Sequence, residues 1–506
     1  MAHARIARAS PSELAPKGAH ALGGSDVPRS RLLDGPSIGV DAECGGTTVV
    51  SDELVIEGAT VLTMDPDNRI AAPGWILVRG GSIVEINDRP IVAPGVRRLD
   101  GSGMIALPGF INAHTHLFQT LIRGLFDGLP FIEWLRRVYR CGLDLEWDDW
   151  RVSAELGATE ALHSGVTTVV DHQFLHHGTV WSDAIIGGAR EAGVRVVLAR
   201  TSMDLADPAP PAALESVEAS LMAVDELLAQ YVEAISDKTV RILGGPNTPG
   251  VSATDRLSVA AAVHARSRGI GIAMHVAESR AAVEAVDHRY GVVGVVRWLD
   301  QLDALPAGTI AAHAVHLAPD EIEILARRHV AVVQNPISNL YLGDGIAPVS
   351  ELLAAGVVVA VGTDGAASNG SQDLFEVMKI GLLLSRIREP QARAVTPLDV
   401  LRMATIDGAR AVGLDDVVGS LEPGKRADIT LVRFGSSAHS VPLNNIVTDL
   451  VLSGRPSDVS TVLVDGRIVL DHGRLTTLNE GALVAVAHLR GVALAGRLGA
   501  RSDWTT

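Results

Sequence analysis

From residue 104 onward the chain repeats one pattern. A short run of Val, Ile, Ala and Leu without polar interruption is followed by a more polar stretch whose apolar residues fall three and four apart. The apolar runs are "MIALPGFINAHTH", "VTTVVDHQF", "VRVVLART", "VRILGGPN", "GIGIAMHVAE", "TIAAHAVHL", "VAVVQNPISN" and "VVVAVGTDG". Unbroken apolar character, rather than alternation, is expected of parallel strands covered on both faces. The intervening "DRLSVAAAVHARSRG", "DEIEILARRH" and "VSELLAAG" carry helical spacing. Eight such repeats predict an α/β protein whose natural closure is a (β/α)8 TIM-like barrel.

The two ends of the chain read differently. "LVIEGATVLTM" and "WILVRGGSIVEI" alternate as strands do, with Arg79-Gly80-Gly81-Ser82 as a hairpin turn. After a helical "PLDVLRMATIDGARAVG", the segments "GSLEPGKRADITLVRF" and "VSTVLVDGRIVLDHG" return to short strands with Gly turns. Neither β piece is large enough to hold a core alone. They are therefore predicted to meet in one small β-sandwich, with the barrel inserted between them. The expected organisation is a flexible extension over 1–52, rich in Ala, Gly, Ser and Pro, then the N-terminal piece of the sandwich over 53–106. The barrel occupies 107–415, the C-terminal piece of the sandwich 416–475, and a terminal helix and tail 476–506.

Composition narrows the function classes. With 506 residues, 47% hydrophobic and 20% charged, the chain reads as a soluble globular protein with a large core. A net charge of -16 argues against nucleic acid as a partner and favours the cytoplasm. No apolar run reaches the ~20 residues that span a bilayer, and the N-terminus has no apolar core of a secretory signal, so no membrane partner is expected. The two cysteines, Cys44 and Cys141, have no C-x-x-C neighbour. Any metal must rely on His, Asp and Glu.

Barrel chemistry sits where the strands end. Here run one ends in His114 and His116, run five in His275 with Glu278 three residues on, run six in His313 and run eight in Asp364. Taken singly, each has a structural reading: a strand-end His is commonly a satisfied core residue, and Asp before Gly is commonly a turn. Four strands converging on one centre favour a metal. His114, His116, His275 and Asp364 make a mononuclear donor set with room for a water, whose pKa a divalent cation lowers to roughly 7. His313 could accept that water's proton, Glu278 could deliver a proton to the substrate, and Asp364 could share the traffic.

The ordered set "LPGFINAHTH", "HVAE", "AAH", "GTDGAASN" and "GSLEPGKRADITL" resembles the amidohydrolase superfamily over roughly residues 53 to 475. The stretches "HTHLFQTLIRG", "PISNLYLGDGIAPVSELL" and "MATIDGARAVGLDDVVGSLEPGKRADI" are most similar to one branch of it. That branch holds S-adenosylhomocysteine and methylthioadenosine deaminases, atrazine chlorohydrolase, melamine deaminase and related purine and pterin deaminases. The resemblance implies one Zn²⁺, with Fe²⁺ as the alternative. It also implies a small heterocyclic substrate, loss of an exocyclic amine as ammonia, and a homo-oligomer, dimeric or larger. Binuclear relatives bridge their metals through a strand-four Lys, and "VRILGGPNTPG" has none.

Substrate contacts are expected from six further residues. Gln119 could read a flat heterocycle through its amide, as its counterpart does in the resembling guanine deaminase and triazine hydrolases, or could cap the strand-to-helix turn. Asn247 stands where adenosine-type relatives show a His. Trp134, with Phe131, could stack on a planar ring or could belong to an amphipathic core face. His172 could enter the pocket from strand two. Arg200 could pair with a substrate oxygen or with a carboxylate of the barrel rim. Ser368 could touch substrate or cap the next helix. "GTDGAASN" resembles the deaminase version of the last motif, so deamination is favoured over release of chloride or alkylamine from an s-triazine.

Overall fold

The computed structural model describes residues 53–292, 294–388 and 395–499; the expected extension over 1–52 lies outside them. The eight apolar runs form eight parallel strands. They are β1 (Phe110–Thr115), β2 (Val166–Gln173), β3 (Arg195–Arg200), β4 (Val240–Leu243), β5 (Ile272–Val276), β6 (Thr309–His313), β7 (Ala331–Gln334) and β8 (Val359–Val361). The ladders run β1-β2-β3-β4 and β5-β6-β7-β8, as two four-stranded sheets. Between them, Gly244 just past β4 bridges in parallel to Ile272 of β5, the Gly244 carbonyl accepting from the Ala273 N–H at 2.9 Å. At the other seam the Asp364 N–H, just past β8, donates to the His114 carbonyl of β1 at 2.9 Å. One apolar cluster takes residues from all eight strands, from Ile111 and Ala113 on β1 to Ala360 on β8. The opposite faces of the strands, with Val196 and Leu198 of β3, pack into a larger cluster shared with the helices.

The first apolar run is split by its own Pro-Gly. Met104–Pro108 turns away from β1 and pairs antiparallel with Ile429–Arg433. Gly109 makes the switch possible, because a Cβ there would lie 2.1 Å from the Thr167 side chain. Residues from both ends of the chain thus share one hydrogen-bonded sheet of nine strands. Its hairpin Ile70–Arg79 to Ser82–Asn87 turns at Gly80 and Gly81, whose φ of 56° and 77° suit a primed two-residue turn. Two helices follow in the chain. α1 (Phe131–Leu143) follows β1, and α2 (Trp147–His163) packs under the terminal helix Glu480–Arg497. Arg490 of that helix reaches the buried Asp149 of α2 at 2.9 Å. Among the described residues no helix is long and apolar enough to cross a membrane.

Candidate active site

The strands deliver their terminal side chains to one place. His114 and His275 lie inside β1 and β5, His313 closes β6, and His116, Glu278 and Asp364 stand one, two and three residues past the ends of β1, β5 and β8. All six are buried. Asp364 Oδ1 is 3.0 Å from His116 Nε2 and 3.3 Å from His114 Nε2. His275 Nε2 faces His116 Nε2 at 3.4 Å. One donor atom each from His114, His116 and His275 fall within 4.8 Å of one another, as do those of His114, His313 and Asp364.

The hydrogen bonds behind the rings assign their tautomers. His116 Nδ1 donates to the His172 carbonyl at 2.6 Å, and His275 Nδ1 to the Asn247 carbonyl at 3.1 Å. Both Nε2 atoms are therefore left as lone pairs, and these lone pairs face each other and a carboxylate oxygen. His114 Nε2 is buried with no hydrogen-bond partner. Acceptors aimed at acceptors in a dry site fit one divalent cation held between them. Burial pushes the His114 imidazole down to about 4, which favours the neutral form that metal ligation requires.

Two further buried groups face each other beside the cluster. His313 Nδ1 donates to Asn339 Oδ1 at 2.8 Å, so Nε2 is the basic nitrogen, 3.6 Å from Glu278 Oε1. Burial first, and then the charge of Asp364, push the Glu278 carboxyl up to about 8. His313 and Asp364 hold φ of 70° and 61°, a left-handed backbone that costs about 1–3 kcal/mol for a residue with a Cβ and that clusters at functional sites.

Several supporting residues were not picked out in the sequence. Ser338 Oγ, which was not, and Ser368 Oγ, which was expected at the substrate, donate to Asp364 Oδ2 at 2.6 and 3.1 Å. Asn112 joins the Thr363 N–H (3.0 Å) and Gln372 Oε1 (2.9 Å), and Thr115 Oγ1 donates to the Asp364 carbonyl. Asp171 accepts from the Leu117 N–H at 2.7 Å. The one available signal was a set of polar residues inside runs otherwise apolar, such as Asn112 in "GFINAHTH".

Beside the cluster opens a cavity of about 420 Å³, its mouth included, walled by Phe131, Trp134, Leu135, Tyr139, Phe174 and Val251. Gln119, Asn247 and Glu278 also line it. Gln119 Oε1 accepts from the Ala367 N–H at 3.3 Å, which leaves Nε2 for the cavity. Asn247 Nδ2 donates to Ser252 Oγ (3.1 Å) and Tyr139 OH (3.3 Å). Trp134 Nε1 reaches the Ala367 carbonyl at 3.4 Å. Three of the expected substrate contacts are placed elsewhere. Arg200 has no exposed surface and is clamped by Glu215 at 2.7 and 3.1 Å, because it shares the strand face of Leu198 and points into the helix layer. His172 packs its ring on His275, centroids 4.1 Å apart, and does not line the cavity. Ser368 spends its hydroxyl on Asp364 and the Gly365 carbonyl.

The profile of the Amidohydrolase family matches residues 105–469, and the chain belongs to that family. The 5-methylthioadenosine/S-adenosylhomocysteine deaminase of Pelotomaculum thermopropionicum is 35% identical over 448 residues, covering 88% of this chain and 99% of that one. The 5'-deoxyadenosine deaminase of Methanothermobacter thermautotrophicus is 33% identical over 88% of this chain and 100% of its own. Among solved structures, a zinc-bound adenosine deaminase from Xanthomonas campestris is 28% identical, with a TM-score of 0.81 over 88% of this chain and 98% of its own. The zinc complex of atrazine chlorohydrolase from Arthrobacter aurescens TC1 is 29% identical, also at 0.81, over 87% and 99%.

Proposed function

We propose that the protein is a metal-dependent aminohydrolase that replaces an exocyclic amino group of a nitrogen heteroaromatic ring with oxygen and releases ammonia. The observation that carries this reading is the placing of the buried Glu278 carboxyl 3.6 Å from His313 Nε2, beside the acceptor cluster. The deaminase names of its relatives support it. The two seams between the four-stranded sheets and the shared cluster of eight strands support a closed (β/α)8 barrel over 107–415. The nine-stranded sheet then forms the small β domain from 53–106 and 416–475.

His114, His116, His275 and Asp364 would hold one Zn²⁺, the ion named with the structural relatives, with Fe²⁺ as the other candidate. Bound there, the cation would supply an activated water, with a pKa lowered to about 7. His313 Nε2 is placed to accept a proton from the water that adds to the ring carbon. The Glu278 carboxyl gives its proton to the adjacent ring nitrogen, so that the electrons drawn from the ring are met by a proton. Collapse expels the amino group, which leaves as ammonia after a further proton arrives through the same pair. Gln119 Nε2 and the aromatic wall orient the ring, and burial of the site excludes bulk water.

Glu278→Gln tests the assignment. Metal content and substrate affinity should persist while ammonia release falls by about 10²–10⁴-fold; undiminished turnover would remove Glu278 from the mechanism. A second reading, release of chloride or alkylamine from an s-triazine, is supported by the triazine hydrolases among the structural relatives. Chloride release from a chlorotriazine separates the two.

A further inference from the structure

The side chains around the cavity bear on what the substrate carries besides its ring, an inference that rests on the deaminase reading above. Six lining residues are aromatic or aliphatic: Phe131, Trp134, Leu135, Tyr139, Phe174 and Val251. Phe131 and Trp134 lie nearly parallel, 20° apart, as one aromatic face. The Tyr139 hydroxyl is engaged by Asn247 Nδ2. The neutral polar lining consists of Gln119, Asn247 and Thr248. The carboxylates and imidazoles that line the cavity, namely His116, His275, Glu278, His313 and Asp364, all belong to the reaction centre. Among the described residues, no Lys or Arg lines it.

Among the described residues, Arg200, Arg136 and Arg280 all lie outside the lining. Arg200 is fully buried and held by Glu215. Arg136, on the outer side of α1, pairs with Asp207 at 2.6 Å. Arg280, two residues past Glu278, is exposed and not part of the lining. A carboxylate brought into such a wall loses its water and gains no counter-charge.

We propose that the substrate is a flat aminoheterocycle whose substituent is uncharged, and that rings carrying an ionised tail, such as the amino-acid tail of S-adenosylhomocysteine, are rejected. The site would then be narrower than the paired name of its 35% identical relative. An alkyl or thioalkyl substituent suits the Phe131, Trp134, Leu135 and Val251 wall, while Gln119 Nε2 supplies a donor for a ring nitrogen or carbonyl.

The test uses matched pairs on purine, pterin and triazine rings, each pair differing only in whether an alkyl substituent ends in methyl or in carboxylate. 5'-Methylthioadenosine against S-adenosylhomocysteine is added as a further pair. Ammonia release by the zinc-loaded full chain gives kcat/KM, and calorimetric binding to zinc-loaded Glu278→Gln gives affinity without turnover. On whichever ring reacts, the uncharged member should be favoured by about 100-fold in both measurements. A preference under tenfold, or a reversed one, overturns the proposal while ammonia release leaves the deaminase reading intact. A preference for the charged member that disappears in Arg280→Ala would assign the tail to that cation, and it overturns the proposal too. Silence on all rings in protein that holds its zinc overturns the deaminase reading and this inference with it.

Discussion

Arg200 shows what one side chain's direction decides. It lies on the strand face of Val196 and Leu198, and the alternate residues Val197 and Ala199 pack in the eight-strand cluster. In "VRVVLART" both faces are apolar, so no polar alternation reveals which way the guanidinium points. That is the physical reason two readings stood open, a substrate contact or a rim carboxylate, of which Glu215 supplies the second. His114, His116, His275 and Asp364 were legible because a polar group that ends a buried strand has few other reasons to be there. Arg200→Met should lower stability by about 3 kcal/mol, because Glu215 is left without its partner. It should leave KM unchanged, and thermal unfolding alongside kinetics would separate this from a substrate contact.

At the scale of elements, the eight parallel strands were legible as unbroken apolar runs. Their ends were less so: "MIALPGFINAHTH" reads as one strand, yet Gly109 splits it between two sheets. The polar ties between elements, such as Asn112 with Thr363 and Gln372, join residues some 250 apart and leave no local trace. Helix ends offer a pH-dependent prediction. Asp373 caps the helix Leu374–Arg388, accepting from the Phe375 N–H at 2.8 Å, and burial pushes its carboxyl up to about 6. The folded state therefore holds this proton more tightly than the unfolded chain does, and stability is lost as pH rises from about 4 through about 6. Asp373→Asn keeps the capping oxygen and should flatten that loss, so the variant gains on the parent from pH 4 to pH 7. Parallel denaturant titrations at the two pH values would show it, and an unchanged difference would refute it.

At the scale of the molecule, the reaction centre is also a stability element. Facing lone pairs from His116 and His275 and the carboxylate of Asp364 repel unless a cation lies between them. Chelation should lower the unfolding temperature, and added Zn²⁺ should restore it at one equivalent. The shift should grow with free zinc as RT ln(1 + [L]/Kd), about 2.7 kcal/mol at 100 Kd. A melting curve indifferent to chelator would contradict it. The nine-stranded sheet has a different consequence, for the order of events during synthesis. Met104–Pro108 is made early but pairs with Ile429–Arg433, more than 300 residues later. At about 5–20 residues per second, the ribosome leaves this sheet edge without its neighbour for tens of seconds. Nascent chains arrested before residue 429 should stay open to protease around residues 53–108, and those arrested well beyond residue 475 should not. A translation stopped early would leave the nine-stranded sheet without its C-terminal strands.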